Sequence, residues 1–357
     1  MNLRVGYAVL VAGMALAALA VGCTNSSTSS TPTPTPTASG TIAPDTLWLQ
    51  DSTSKTVRTY VGASALNGSV IATAALPTSD TGNGDVAYDP ATNTMWYPNQ
   101  TVPAPPPNTI DIWTMASTRN NVLPTFVIGP NGNTQNLEGA AAFDPIHNLL
   151  YIAFNTSNTI DVYTNATAMT NLSTPAGHIT LNMVDGGVLG TPRPQELLYD
   201  PVHDIMFVND NGTVCAKFSS FFATKASLAI GGATIPATST SQISGLALGN
   251  GAGLAYNSAL DILFVTEVTP PEVNIIKSAS SFNGATTHVQ TLTGFSQPKG
   301  LAYDSIRDIL FVYDSAVFVF PNGTTASGSQ LSWPNRRVIF DASTGLSGFG
   351  IYVDTTH

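Results

Sequence analysis

Four ionisable residues stand at or near the start of a repeated stretch in this sequence, and their types are suited to binding a cation. Three are acids and one is a lysine: Asp85, Glu138, Glu196 and Lys299. Two further copies of the stretch hold glycine there, Gly251 and Gly348. Arranged around a common axis, such carboxylates and nearby carbonyl oxygens would suit a hard cation such as Ca²⁺. The same side chains would equally form a solvated rim, so the pattern leaves both readings open.

The rest of the sequence offers little other chemistry. It contains no GxSxG, CxxC or HExxH motif. Cys215 occupies a strand position that is apolar in most other copies, which predicts a small buried side chain rather than a nucleophile. His147 and His203 share one turn position of the repeat and are interpreted as surface residues. We therefore assign no catalytic residue.

The charge balance bears on possible partners. The formal net charge is −10, and charged residues make up 10% of the chain, against about 25% in a typical soluble domain. No run of lysine or arginine alternates with aromatic residues. Because an acidic surface repels phosphate backbones, we exclude nucleic acid as a partner.

The N-terminus has the pattern of an export signal. Arg4 precedes an apolar run over 8–21 that is too short for a comfortable membrane span. The run ends in LAVGC at 19–23, which resembles the lipobox of bacterial lipoproteins, although Ala20 stands where leucine is usual. The resemblance implies that 1–22 is a signal peptide and that Cys23 carries the lipid that anchors the protein in a membrane. The alternative is an ordinary secretory signal with an accidental cysteine.

The segment 23–43 follows as a tether. It is rich in serine, threonine and proline and has a single large apolar residue, Ile42, so it cannot form a core and is predicted to be extended or disordered. Thr24 is not the aspartate that retains lipoproteins at the inner membrane of many Gram-negative bacteria. By that resemblance we expect a lipid-anchored protein of the bacterial cell envelope, at the outer membrane if the source is Gram-negative.

From residue 44 onward the chain repeats itself. One element, GDVAYDP at 84–90, has five further copies, and the acid or amide near its end recurs as Asp89, Asp144, Asp200, Asn257, Asp304 and Asp354. A second element places an aromatic residue three positions after an aspartate or asparagine: Trp48, Trp96, Tyr151, Phe207, Phe264 and Phe311. Two more apolar stretches complete each period. The fourth stretches are the least regular and are predicted as strands near 69–76, 124–129, 178–184, 226–232, 287–293 and 336–341. Four short strands in each of six periods predict an all-β, six-bladed β-propeller over 44–357.

The order of the elements predicts how the ring closes. The last copy of the first element lies at the C-terminus, 348–354, whereas the matching second element lies at 45–50. We therefore expect the C-terminal inner strand to pair with the N-terminal strands, leaving only short, protected edges.

The segment SQPKGLAYDSIRDILFVYDSAVFVFPNG at 296–323 resembles an NHL-type repeat. The similarity extends more weakly over 44–357 and implies a six-bladed architecture like that of NHL and TolB-like propellers. It does not imply one function, because this fold hosts enzymes, scaffolds and receptors. Long insertions such as 98–108 and 185–195 fall between second and third strands or between blades, which indicates a binding face on that side of the ring.

These observations lead to two hypotheses of function. The first is an envelope-anchored lipoprotein whose propeller is a binding or scaffold module for a protein, peptide or glycan partner. The alternative is a divalent-metal-dependent, lactonase-like hydrolase with its site at the mouth of the central channel. A resemblance to propeller lactonases would require amide ligands beside the acids, and only Asn83 and Asn250 lie near them in the sequence.

Overall fold

The computed structural model describes the part of the chain from 45 to 356, with gaps. The described ranges are 45–79, 84–99, 109–129, 139–154, 158–185, 188–190, 194–210, 214–244, 246, 253–285, 290–341 and 350–356. All of them belong to one compact unit, Ala43–His357. The predicted signal peptide, Cys23 and the tether lie outside the described residues, as does Glu138. Across the described ranges, no helix has the length and apolar character needed to cross a membrane.

Six antiparallel sheets form the blades of a propeller, as predicted. Blades are numbered along the chain, and their strands run from the channel outward. Blade 1 comprises Ile351–Asp354, Thr46–Asp51, Thr56–Val61 and Ala74–Pro77. Blade 2 comprises Ala87–Asp89, Thr94–Asn99, Thr109–Thr114 and Phe126–Ile128. Blade 3 comprises Gly139–Asp144, Leu149–Phe154, Thr159–Thr164 and Gly177–Asp185. Blade 4 comprises Pro194–Asp200, Ile205–Asp210, Val214–Ser219 and Ser241–Ser244. Blade 5 comprises Leu254–Asn257, Ile262–Val268, Pro271–Lys277 and Gln290–Thr293. Blade 6 comprises Gly300–Asp304, Ile309–Tyr313, Val317–Pro321 and Arg337–Asp341.

The remaining elements are short. Five further strands lie at blade margins: Gly68–Val70, Val188–Gly190, Thr234–Thr238, Gly284–Ala285 and Gly328–Ser329. Single helical turns connect third to fourth strands: Ala63–Ala65, Ala116–Thr118, Ala166–Ala168, Phe222–Ala226 with Ser227–Ala229, Gly323–Thr325 and Gln330–Ser332.

Blade 1 is assembled from both ends of the chain. The C-terminal strand Ile351–Asp354 pairs antiparallel with Thr46–Asp51, and Thr46 lies opposite Asp354. The backbone N–H of Gln50 extends this ladder by donating to the carbonyl of Gly350 at 2.9 Å. The predicted closure of the ring is confirmed.

The hydrophobic core is divided into six clusters, and each lies between two neighbouring blades. The cluster between blades 4 and 5, for example, joins Phe207 and the buried Cys215 to Leu254 and Leu263. Second-strand aromatics pack on the first-strand aromatic of the next blade in five junctions: Trp48–Tyr88, Trp96–Phe143, Tyr151–Tyr199, Phe207–Tyr256 and Phe264–Tyr303. Because each blade is covered on both faces, its central strands are apolar on both sides.

A second set of acids and amides, one before each second strand, stabilises the turns. The residue before each second strand of blades 2 to 6 has a left-handed backbone, which asparagine and aspartate tolerate. Its side chain accepts an N–H from the turn between the third and fourth strands, and Asp45 of blade 1 does the same: Ser64–Asp45, Ser117–Asn93, Thr167–Asn148, Phe222–Asp204, Ser280–Asp261 and Thr324–Asp308. Both sets of turns therefore lie on one face of the ring, here called the turn face.

The outer part of blade 4 differs from the prediction. Residues 226–232 have the apolar character of a fourth strand, but Phe222–Ala226 and Ser227–Ala229 are helical. Ala226 and Ala229 from these turns join the core between blades 3 and 4. The fourth strand is instead Ser241–Ser244. Small apolar side chains serve a helical turn as well as an edge strand, so composition does not separate the two here.

Outer edges are covered by the following blade. Segments between third and fourth strands pair in parallel with the preceding blade's outer strand in four cases: Thr234–Thr238, Gly284–Ala285, Gly328–Ser329 and Gly68–Val70. At blade 1, the backbone N–H of Asn121 from blade 2 donates to the carbonyl of Ala75 at 2.7 Å. These contacts satisfy edge groups that would otherwise be open to pairing with other chains.

Removing the last ten residues, 348–357, is expected to open the ring. The variant loses the closing strand and exposes the apolar cluster between blades 6 and 1. We expect loss of the cooperative thermal transition by circular dichroism and aggregation in size-exclusion chromatography. Removal of 355–357 alone leaves the closing strand intact and is the control. A cooperative melt of the longer truncation would contradict this role of the strand.

Replacement of Asp308 by alanine tests the turn residues. Its carboxylate accepts hydrogen bonds from Thr324 N, Thr324 Oγ1 and Tyr303 Oη, all at 2.9 Å. We expect Asp308→Ala to lower the free energy of unfolding by about 3 kcal/mol, since it loses three hydrogen bonds at a left-handed position. Asp308→Asn, which reproduces the residue type of blades 2 and 3, should cost about 1 kcal/mol or less. Equal losses in the two variants, measured by urea unfolding, would show that the side-chain contacts are unimportant.

Candidate functional site

The central channel contains a cavity of about 530 Å³ that is lined by the first strands of all six blades. Four acidic residues line it: Asp89 and Asp200 at the turns, and Asp85 and Glu196 nearer the start of the first strands of blades 2 and 4. The turn residues Pro90, Pro145 and Pro201 also line it, so the cavity extends towards the turn face. Sites for small molecules commonly have volumes of about 300–1,000 Å³ and mostly apolar walls with few polar groups.

Asp85 is positioned by a close approach of two inner strands. Its backbone N–H donates to the carbonyl of Gly139 in blade 3 at 2.9 Å, and its Oδ1 accepts from Val86 N at 2.7 Å. The preceding residue, Gly84, pairs with Gly139. A Cβ on Gly84 would lie 2.1 Å from the carbonyl oxygen of Pro98, so only glycine fits there without a shift of backbone.

Glu196 is positioned by a bulge in the first strand of blade 4. The register shifts between Pro194 and Glu196, so Gln195 is the additional residue. The Oε1 of Glu196 accepts the backbone N–H of Leu254 at 2.7 Å and thereby bridges blades 4 and 5. Bulges commonly redirect a side chain next to a functional site.

The two carboxyls are close enough to affect each other's ionisation. Burial raises the pKa of Asp85 to about 7, against a smaller opposing effect of the Val86 N–H. Burial also raises the pKa of Glu196 well above its usual value; the charge of Asp85 adds to the increase, and the Leu254 N–H opposes it. Both carboxyls are therefore protonated more readily than free ones.

The predicted set of four residues is only partly brought together. Asp85 and Glu196 meet at the channel, whereas Glu138 lies outside the described residues. Lys299 is half-buried just before the first strand of blade 6, where its backbone N–H donates to the carbonyl of Tyr313 at 2.8 Å, and it is not among the residues that line the cavity. Within the described ranges, no three His, Cys, Asp or Glu side chains are grouped as a metal site.

An aromatic ring around the channel was missed in the sequence. Every first strand contributes one aromatic side chain to the cavity: Tyr88, Phe143, Tyr199, Tyr256, Tyr303 and Tyr352. The signal was present, because each residue directly precedes the recurring acid or amide, except Tyr352, which precedes it by two. Tyrosines of four blades donate their hydroxyl to the left-handed turn residue: Asn93, Asp204, Asp261 and Asp308.

The other residues considered in the sequence have structural surroundings. Cys215 is fully buried, and burial raises the pKa of its thiol to about 12, so it is held as a neutral thiol as expected. His147 and His203 each contact the turn acid three residues earlier, Asp144 and Asp200. In blade 6, Arg307 makes the equivalent contact with Asp304.

Removal of one channel carboxylate is expected to change how stability depends on pH. Because the pKa of Asp85 is raised to about 7, its ionisation costs more free energy in the folded chain than in the unfolded chain. The free energy of unfolding therefore falls as pH rises from about 4 to about 7. Asp85→Asn should raise the free energy of unfolding at pH 8 by about 1–3 kcal/mol and flatten this dependence. Glu272→Gln, on the third strand of blade 5 and not lining the cavity, is the control. An unchanged profile for Asp85→Asn in urea unfolding at several pH values would refute the assigned coupling.

Comparison with known proteins identifies the fold of the chain but does not identify a family. No family model matches the chain, and no curated protein matches it. Among solved structures, 936 chains match, so the fold is common and does not specify a function. One similar chain belongs to the crystal structure of a nidogen/laminin complex; the match covers 88% of this chain and 100% of that chain at 12% identity, with a TM-score of 0.54. The chain is therefore a six-bladed β-propeller without a family assignment.

Proposed function

We propose that this chain is a lipid-anchored protein of the bacterial cell envelope whose propeller binds a protein partner through its turn face. The observation that carries the proposal is a set of exposed aliphatic side chains on the turns between first and second strands. Ile146 is 63% exposed, Val202 71% and Ile306 55%. Leu260 of blade 5 is also exposed. These residues come from four consecutive blades, around the channel.

The chemistry of this surface favours a protein over a glycan or a charged ligand. Exposed apolar side chains gathered on one face are typical of protein interaction sites. The acids of the same turns are buried and bonded to backbone N–H groups, as in Ile146 N to Asp144 Oδ1 at 2.9 Å and Ile306 N to Asp304 Oδ1 at 2.9 Å. The similar chain with a TM-score of 0.54 is taken from a protein–protein complex, nidogen with laminin, which agrees with a binding role for this architecture.

The anchor is supported by the sequence alone. The LAVGC pattern and the tether that follows it would place a folded propeller some distance from a membrane. The long insertions, such as 98–108 and 185–195, indicated a binding face on the other side of the ring. Most of their residues lie outside the described ranges. The proposal therefore concerns the turn face.

Site-specific cross-linking in the native host tests the proposal. A photo-reactive benzoylphenylalanine replaces Ile146, Val202 or Ile306 in the full-length protein, and one replaces Phe340 as the control. Phe340 is 52% exposed but lies on the outer strand of blade 6. We expect one adduct of the same added mass from all three turn-face positions and none from Phe340. The adduct should disappear when the other two turn positions carry serine.

The results separate the two parts of the proposal. An added mass equal to a second copy of this chain, or equal labelling from Phe340, would overturn a partner at the turn face. Cys23→Ser should move the protein from the detergent-rich to the aqueous phase in detergent phase partitioning. Retention in the detergent-rich phase would contradict lipidation at Cys23 and leave the cross-linking result unaffected.

A further inference from the structure

The channel cavity combines negative charge with aromatic walls, and the partner proposal uses neither. Asp85 and Glu196 each accept one backbone hydrogen bond, which leaves most of their acceptor capacity open. Within the described part of the chain, no lysine, arginine or histidine forms an ion pair with either residue. Carboxylates removed from bulk water without a cation are unfavourable, so a positively charged group entering the cavity would be stabilised.

The walls of the cavity point to the kind of cation. All six first strands present an aromatic side chain to it, and between them lie small apolar residues such as Ala87, Ala142, Ala255 and Ala302. An organic cation contacts such walls favourably through its carbon atoms, and aromatic rings also attract its charge. At about 530 Å³ the cavity is large enough for a small molecule rather than a single ion.

A bare divalent ion is less well matched. Calcium takes about six to eight oxygen ligands. Asp85 and Glu196 supply at most about four of these. Asp89 and Asp200 also line the cavity, but their carboxylates accept hydrogen bonds from groups of their own turns. The aromatic and alanine side chains of the wall supply none.

We propose that the central cavity is a binding site for a small organic ammonium compound, whose cationic group contacts Asp85 and Glu196 and whose apolar part lies against the aromatic ring. The ammonium group donates hydrogen bonds to the two carboxylates at the level of the Glu196 bulge. The apolar part extends from there towards the turn face, along Tyr199 and Tyr256. A lysine side chain of a peptide would present the same chemistry, so the experiment includes both sources.

Calorimetric titration of the full-length protein in detergent at pH 8 tests the site. The probes are phenethylammonium, butylammonium and a capped tetrapeptide with one internal lysine. Two reference compounds are 2-phenylethanol, which is the neutral analogue of the first probe, and CaCl₂. We expect at least one ammonium probe to bind with a 1:1 stoichiometry and at least tenfold more tightly than 2-phenylethanol.

The variants Asp85→Asn and Glu196→Gln retain the oxygen that accepts the backbone hydrogen bond and remove the negative charge. Each should weaken binding of the ammonium probe by about tenfold or more, the usual size for loss of a charged hydrogen bond. Glu272→Gln, whose side chain does not line the cavity, should bind as the unaltered protein does. Because both channel variants are expected to be more stable at pH 8, a melt beside each titration excludes unfolding as the cause of lost binding.

Three results would overturn the proposal. One is failure of every ammonium probe to bind at 10 mM, and another is equal binding of 2-phenylethanol. The third is tight binding of Ca²⁺ that requires both carboxylates and is unaffected by the ammonium probes. Binding of the lysine peptide alone would assign the cation to a polypeptide. The titration contains no partner protein, so its failure leaves the proposed turn-face interaction untouched.

Discussion

A blade of this protein cannot bury either of its faces alone, and this constraint governs the rest of the structure. Each apolar cluster belongs half to one blade and half to the next, so six blades need six junctions. Five junctions follow from the order of the chain, and the sixth exists only if the two ends meet. The ladder between Thr46–Asp51 and Ile351–Asp354 supplies that junction. Short ladders suffice elsewhere because both faces of every blade are packed.

The same arrangement explains where polar residues are used. Acids and amides at the turns take over hydrogen bonds that strands cannot make where the chain reverses, and they do so identically from blade to blade. Asp85 and Glu196 do not follow this pattern, because they are not turn residues. They line the channel cavity, and burial there raises the pKa values of both carboxyls. Residues that break the pattern of a repeat are the natural candidates for function.

The sequence predicted the repeated strand pattern of the blades better than it predicted the details of blade 4 and of the channel. Period, blade number and closure followed from six copies of one strand pattern. The outer strand of blade 4 was wrong because Ala226 and Ala229 pack on a core from a helical turn rather than from a strand. Alignment of the repeats brought Asp85 and Glu196 to the channel but gave no indication of the bulge at Gln195. The aromatic ring around the channel, five tyrosines and Phe143, went unnoticed because an aromatic residue present in every blade is readily taken for a packing residue.

Thr46 lies opposite Asp354, so the chain enters the propeller on its turn face and beside its own other end. Any tension applied to the chain ahead of Asp45 therefore acts first on Thr46–Asp51, the strand with which the closing strand pairs. That strand has an antiparallel neighbour on each side, one from the N-terminal hairpin and one from the C-terminus. The point at which the two ends of the chain meet is thus also the point at which such a force would enter the propeller. A pull from outside is resisted by two ladders together before any blade separates from the next.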